Sequence, residues 1–269
     1  MTPLPTGILF DKDGTLFGYR DTWVPINQAA ADAVSEGNPL ITEALLAAGG
    51  YDSATGTLVS DGLLAAGNTR EIAECWHEVL SRKRAESTGS FPEPRPRARQ
   101  GVEAIAELIE TVYRREGPIR AVPVTNLRSL LGALVARGHR LGLATSDSES
   151  AAEDTLERFG VRELFAFVAG YDSGYDPKPQ PEMVYGFCRA AGTIPAEVAV
   201  VGDTPHDMRM GRAAGAGEVI GVLTGASSRE DLLPFANSIL PDIEALRLRL
   251  RYPDAGGGRG ILSACTNPG

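Results

Sequence analysis

Near its start the chain reads Thr6-Gly7-Ile8-Leu9-Phe10, a short apolar run that stops at the polar stretch Asp11-Lys12-Asp13-Gly14-Thr15. A run of this length closed by a glycine-containing turn predicts a buried strand. From about residue 17 to residue 118 the period changes. Ala-, Leu- and Glu-rich stretches with apolar positions at helical spacing cover residues 26–34, 41–48 and 71–83. Asn68, followed by Glu71 three positions later, predicts a helix N-cap with a reciprocating acid. Residues 87–99 hold too much proline for a helix or a central strand and read as a connector, with helix resuming over residues 100–115.

Beyond Pro118 the rhythm becomes regular. Helical stretches at 127–137, 149–159, 181–191 and 205–214 are each followed by a short apolar run, at 140–144, 165–169, 197–201 and 219–223. Alternation at these lengths predicts βαβ units, hence an α/β fold: a doubly wound parallel sheet, Rossmann-like, with helices on both faces. One strand precedes the helical block and the others follow it. The simplest geometry is a core of residues 1–16 and 119–252 with an all-helical cap, residues 17–118, inserted after the first strand. Ligands of open parallel sheets sit beyond the carboxyl ends of the strands, so such an insert overhangs the site. Residues 253–269, with Gly256-Gly257-Gly258, lack periodicity and are expected to form a disordered tail.

Composition narrows the function. The chain has 269 residues and a net charge of −9, which argues against a nucleic-acid binder and against a polybasic membrane anchor. No apolar run approaches the roughly 20 residues of a membrane helix. The first residues carry no secretion signal, and three widely spaced cysteines (Cys75, Cys188, Cys265) fit free thiols in a reducing compartment, so a cytoplasmic location is expected. Three scattered histidines make a His/Cys zinc cage improbable.

Four places combine chemistry with a position where a predicted strand gives way to a loop. Asp11 and Asp13 put two carboxylates at the mouth of the sheet, and burying like charges there needs a cation or a proton; the plain alternative is an Asp-Gly turn with solvated acids. Thr145 and Ser146 end the second core strand, where a hydroxyl and the N–H groups of the turn can hold an anion, or Ser146, Asp147 or Ser148 can simply cap the next helix. Lys178 lies in Asp176-Pro177-Lys178-Pro179, where prolines can fix the aim of its ammonium, although a solvated loop lysine is commoner. Asp203 closes a strongly apolar strand, ahead of the cap Thr204 and of Pro205 at the first helical position. Asp207 falls where the acid of a capping box would.

Taken in chain order, these segments resemble the four motifs of the haloacid dehalogenase-like hydrolase superfamily, in its helical-cap phosphatase branch, with phosphoglycolate phosphatase-like proteins as the nearer resemblance. The resemblance implies a phosphomonoesterase for a small phosphorylated metabolite, phosphoglycolate being one candidate. It implies Asp11 as nucleophile, Asp13 as general acid and base, and Thr145, Ser146 and Lys178 on the phosphoryl group. It also implies Mg²⁺ held by Asp11, the backbone carbonyl of Asp13 and Asp203, with Asp207 at or just outside the metal shell. Dehalogenases of the superfamily lack an acid at the position of Asp13. A phosphomutase or isomerase would share the core motifs, but residues 17–23 lack the histidine that the sugar phosphomutases usually carry there. A signalling receiver or a non-catalytic phospho-binding module is the alternative of another class; it fits poorly with a hundred-residue insert and a full motif set. Cap contacts to substrate are expected from Arg20, Trp23 and the Gly67-Asn68-Thr69-Arg70 turn, the plain reading being a cap-core tryptophan and solvated arginines.

Overall fold

The computed structural model describes residues 5–59, 62–86 and 101–249. The expected connector at 87–99 and tail at 253–269 lie outside them. Six parallel strands form one sheet in the order β5-β4-β1-β6-β7-β8, with β1 (Gly7–Phe10), β4 (Arg140–Ala144), β5 (Phe165–Ala169), β6 (Val198–Gly202), β7 (Glu218–Val222) and β8 (Ser238–Leu240). β1 is paired in parallel on both sides, Phe10 lying opposite Leu143 of β4 and Val201 of β6. The strands read as unbroken apolar runs because both faces are covered. Ile8, Phe10, Ala199 and Val201 face a core completed by α6 (Leu127–Ala136) and α7 (Glu149–Arg158), through residues such as Leu131 and Leu156. Leu9, Val198 and Val200 face the opposite side, where α8 (Glu182–Ala191) and α9 (Pro205–Ala214) contribute Met183, Phe187 and Met210.

Between β1 and α6 lies a helical layer: α1 (Tyr19–Val34), α2 (Pro39–Ala48), α3 (Leu63–Ala66), α4 (Thr69–Glu86) and α5 (Val102–Arg120). It has a hydrophobic core of its own, built on Trp23, Ile26, Leu45, Trp76, Ile109 and their neighbours. The layer is not purely helical, since β2 (Tyr51–Asp52) and β3 (Thr57–Leu58) pair as a small antiparallel hairpin, too short for any sequence period to register. Asn68 and Glu71 cap α4 reciprocally, the Asn68 N–H donating to Glu71 Oε2 at 2.9 Å and the Glu71 N–H to Asn68 Oδ1 at 3.0 Å.

Two helices outrun the sequence expectation. α1 begins at Tyr19 and carries Pro25 inside it. α5 continues through Pro118 to Arg120. The residue before Pro118 is Gly117, and without a Cβ it escapes most of the clash that usually drives the pre-proline residue out of the helix. The two crossings between the layer and the sheet run side by side. Phe17 bridges Pro123 in antiparallel fashion, and the Gly18 N–H donates to Val122 O at 2.9 Å.

Trp76 is fully buried in the core of the helical layer. Trp76→Ala should lower the free energy of unfolding by about 3–5 kcal/mol, read from denaturant midpoints at unchanged m-value.

Candidate active site

The site begins where β1 and β6 end. In chain order the six core strands lie 3-2-1-4-5-6, so the order reverses between these two strands, and the crevice beyond that point is where doubly wound sheets bind ligands. Asp11 directly follows β1 and its N–H donates to Val201 O at 2.8 Å, which ties the first loop to β6. Asp203 directly follows β6 and is completely buried. Two glycines make room for its carboxylate. Gly14 sits in the left-handed region at φ 88°, and a Cβ there would lie 2.3 Å from Asp203 Oδ2; at Gly225 it would lie 1.7 Å away. The Ala226 N–H donates to the same Oδ2 at 2.9 Å.

Lys178 reaches in from the loop before α8. Its Nζ donates to Asp11 Oδ1 and to Asp207 Oδ1, each at 2.6 Å. Asp207 does two things at once. Its Oδ2 accepts from the Thr204 N–H at 3.0 Å and the Thr204 hydroxyl at 2.7 Å, completing a capping box for α9, while its Oδ1 faces Lys178. The capping-box reading of that residue therefore holds, with its other oxygen engaged by Lys178. Asp11 Oδ2 and Asp203 Oδ1 are buried with no hydrogen-bond partner.

These charges strain one another. Burial raises the Asp11 carboxyl to about 7, with Lys178 pulling it down and Asp207 and Asp13 adding to the rise. Asp203 is pushed well above the carboxylate range, by burial first and then by Asp11 and Asp207. Burial works against the Lys178 ammonium, yet Asp11 and Asp207 outweigh it and hold the group above its ordinary value. One carboxylate oxygen from each of Asp11, Asp203 and Asp207 lies within 4.8 Å of the others. Hard oxygen donors at this spacing, two of them orphaned, suit a small divalent cation such as Mg²⁺.

A second charged group adjoins the first. Lys12 is buried, with its Nζ 2.7 Å from Asp13 Oδ2 and 3.2 Å from Asp147 Oδ2, and it lies 5.3 Å from the centroid of the Trp23 ring. Burial raises the Asp147 carboxyl to about 6 against the pull of Lys12. Thr145 Oγ1 accepts from the Asp147 N–H at 3.1 Å, which leaves its hydroxyl proton to donate elsewhere. The cap of α7 is Ser148, not Ser146 or Asp147.

One cleft joins all of this, with about 530 Å³ of empty space including its solvent mouth. Asp11, Asp13, Thr145, Ser146, Lys178, Asp203 and Asp207 all line it, so the structure gathers every residue that the four sequence segments nominated. Of the nominated cap contacts, Trp23, Gly67 and Thr69 line the cleft. Arg20 instead bonds Gly56 O at 3.3 Å, and Arg70 pairs with Glu74 at 3.1 Å on the exposed side of α4. The sequence reading missed Lys12, Asp147, Tyr19 and Tyr113. A lysine inside an otherwise buried strand-to-loop turn was the available signal for Lys12.

The sequence pattern described as haloacid dehalogenase-like hydrolase matches residues 5–215. The chain belongs to that family. A phosphoglycolate phosphatase of Rhodospirillum rubrum is 34% identical over 132 residues, covering 49% of this chain and 54% of that protein. A phosphoglycolate phosphatase of Salmonella typhimurium is 29% identical over 118 residues, 44% of this chain and 47% of that protein. The chain thus spans about half the length of the curated relatives it matches. Among solved structures, a β-phosphoglucomutase of Clostridium difficile superposes with a TM-score of 0.60 at 17% identity, over 92% of this chain and 97% of the other, a likeness of fold. Among the described residues, no helix of this haloacid dehalogenase-like hydrolase is long and apolar enough to cross a membrane.

The raised carboxyls fix the sign of a pH effect. Asp11, Asp147 and Asp203 hold protons more tightly folded than unfolded, so stability present below about pH 4 is lost as pH rises through their folded values. Chemical denaturation in EDTA should give a lower unfolding free energy at about pH 8 than at about pH 5. Mg²⁺ should raise the midpoint at the higher pH, and Asp203→Asn should remove most of that rise; a midpoint indifferent to Mg²⁺ would exclude a cation among these acids.

Proposed function

We propose that the chain is a Mg²⁺-dependent phosphomonoesterase for a small phosphorylated metabolite, acting through a phosphoryl group carried on Asp11. One observation carries the reading. Asp11 holds one carboxylate oxygen against Lys178 and keeps the other buried and unpartnered, next to the likewise unpartnered Asp203. A carboxylate held this way is a nucleophile with its lone pairs available, and it faces a cleft rather than solvent.

In this reading Asp11 Oδ2 attacks phosphorus and the bond from phosphorus to the ester oxygen breaks. The departing alkoxide takes a proton from Asp13, the most exposed of the acids lining this end of the cleft, its side chain 15% accessible. Asp13 then takes a proton from the water that attacks the phosphoryl group, and inorganic phosphate leaves with Asp11 restored. Thr145 and Ser146 hold phosphoryl oxygens, and Lys178 offsets charge developing on them while fixing the angle of Asp11. The metal would be held by Asp11, the Asp13 carbonyl and Asp203, with Asp207, itself bonded by Thr204 and Lys178, beside them. When bound, it supplies the positive charge without which these acids would repel a phosphate dianion.

The proposed architecture is a core of residues 1–16 and 119–252 under a cap of residues 17–118, supported by the separate hydrophobic core of the helical layer. The names of the curated relatives put phosphoglycolate first among esters to assay. A cytoplasmic setting is part of the reading, supported by the free thiols of Cys75 and Cys188.

Asp11→Asn should reduce phosphate release at least a thousandfold while leaving the thermal midpoint within a few degrees, since the amide fills the same space and removes one of three mutually repelling buried acids. EDTA should stop turnover and Mg²⁺ restore it. Activity surviving in Asp11→Asn would mean a different nucleophile. Isomerised sugar phosphate in place of free phosphate would turn the reading to a mutase.

A further inference from the structure

The cleft has two unlike walls. The core wall carries the acids, Lys178 and the hydroxyls. The wall formed by the helical layer presents Tyr19, Trp23, Leu64, Ala65, Ile72 and Tyr113, together with Gly67 and Thr69. Its hydroxyls are turned to other work, that of Thr69 donating to Glu110 Oε2 at 3.1 Å, while the buried Trp23 Nε1–H has no partner. The Tyr113 hydroxyl donates to Asn27 Oδ1 at 2.6 Å, and the Tyr19 hydroxyl donates to the Leu64 carbonyl, so both tyrosines offer mainly ring to the cleft. Trp23 and Tyr113 pack edge to face, with centroids 4.8 Å apart.

Charge points the same way. Among the described residues lining the cleft, Lys178 carries the positive charge, and Asp11 and Asp207 hold it. Lys12, behind the lining, is held between Asp13 and Asp147. Arg20 and Arg70, which a sequence reading would offer to an anionic group, bond Gly56 and Glu74 instead. A carboxylate on the alcohol portion of the substrate would therefore lie between apolar rings and the acids Asp13 and Asp147. A negative charge desolvated there, with one neutral N–H and no cation to meet it, is unfavourable, and a site of this kind discriminates against it.

Resting on the phosphatase reading, we infer that the favoured substrate is a phosphomonoester whose alcohol bears no negative charge and has an apolar or aromatic body seated on Trp23 and Tyr113. Phosphoglycolate, whose alcohol portion bears a carboxylate, then becomes a poor substrate, and this chain parts from its curated relatives at the helical wall rather than at the catalytic end.

The test compares benzyl phosphate with 4-carboxybenzyl phosphate, a pair alike in leaving-group reactivity and different in charge, with phosphoglycolate alongside. With Mg²⁺ present, kcat/KM for benzyl phosphate should exceed that of either carboxylated ester at least tenfold. Equal or faster release from the carboxylated esters overturns the inference and leaves the phosphatase reading standing. If no ester releases phosphate, that reading fails, and calorimetric binding of benzylphosphonate against 4-carboxybenzylphosphonate decides the inference separately: a tenfold preference for the neutral compound supports it, equal affinity overturns it. Ala65→Arg, at a partly exposed position of the wall, should move the kcat/KM ratio severalfold toward the carboxylated ester. An unmoved ratio overturns the seating of the alcohol on this wall, and a mere loss of stability would depress both esters alike.

Discussion

Like charges cannot be buried side by side without something to relieve them, and the mouth of this sheet buries three carboxylates around one ammonium. Asp11 and Asp207 share Lys178, while Asp203 has only a backbone N–H and a pair of glycines backing it. Relief is incomplete, which is why an oxygen of Asp11 and one of Asp203 stay without partners. Much of the surrounding structure follows from that tension. β1 and β6 must be neighbours to bring two acids together. The segment between the prolines flanking Lys178 must aim an ammonium at both Asp11 and Asp207. Residues without a side chain must stand at 14 and 225, where any Cβ would collide with Asp203. A bound cation would relieve such a cluster, which is the part that the proposed Mg²⁺ would play.

The helical layer answers a different need. It turns a shallow crevice at the strand ends into a cleft with a floor, and its own core of Trp76, Leu45 and Ile109 lets it do so without borrowing rigidity from the sheet. The two halves of the cleft speak different chemical languages, charged below and aromatic above. Lys12 touches both, paired to Asp13 and Asp147 and lying over Trp23, so the electrostatics of the lower wall and the packing of the upper one meet at a single side chain.

Much of this was legible in the amino-acid sequence. Parallel strands covered on both faces produce continuous apolar runs, so β1, β4, β5, β6 and β7 stood out, and the acids directly after β1 and β6 had no packing role to explain them. β8 did not stand out, being three residues of half-buried edge strand. The helix ends around Pro25 and Pro118 were misjudged because proline normally marks a boundary, and the local tolerance of Gly117 is visible only in three dimensions. Arg20 and Arg70 show the other limit. Each adjoins a residue that does line the cleft, Tyr19 and Thr69, but one step along a helix turns the side chain by about 100°. Sequence put the right segments in place and left the phase of the helix to decide which neighbour faces inward. The trio of Lys12, Asp147 and Trp23 was invisible for a related reason, since it joins three elements that meet only after α1 has folded over the sheet.

The paired crossings have a consequence for how such a molecule can change over generations. The described residues between 18 and 122 enter and leave the sheet layer through two backbone groups 2.9 Å apart. Seen from the sheet, that stretch is a closed loop whose two ends are hydrogen-bonded to each other. Helices could be lengthened, exchanged or rebuilt there without shifting the register of β1 against β4, provided that the contact between Lys12 and Trp23 is kept. The chain thereby separates what must be kept from what is free to diversify, using nothing more than a bridge between Phe17 and Pro123.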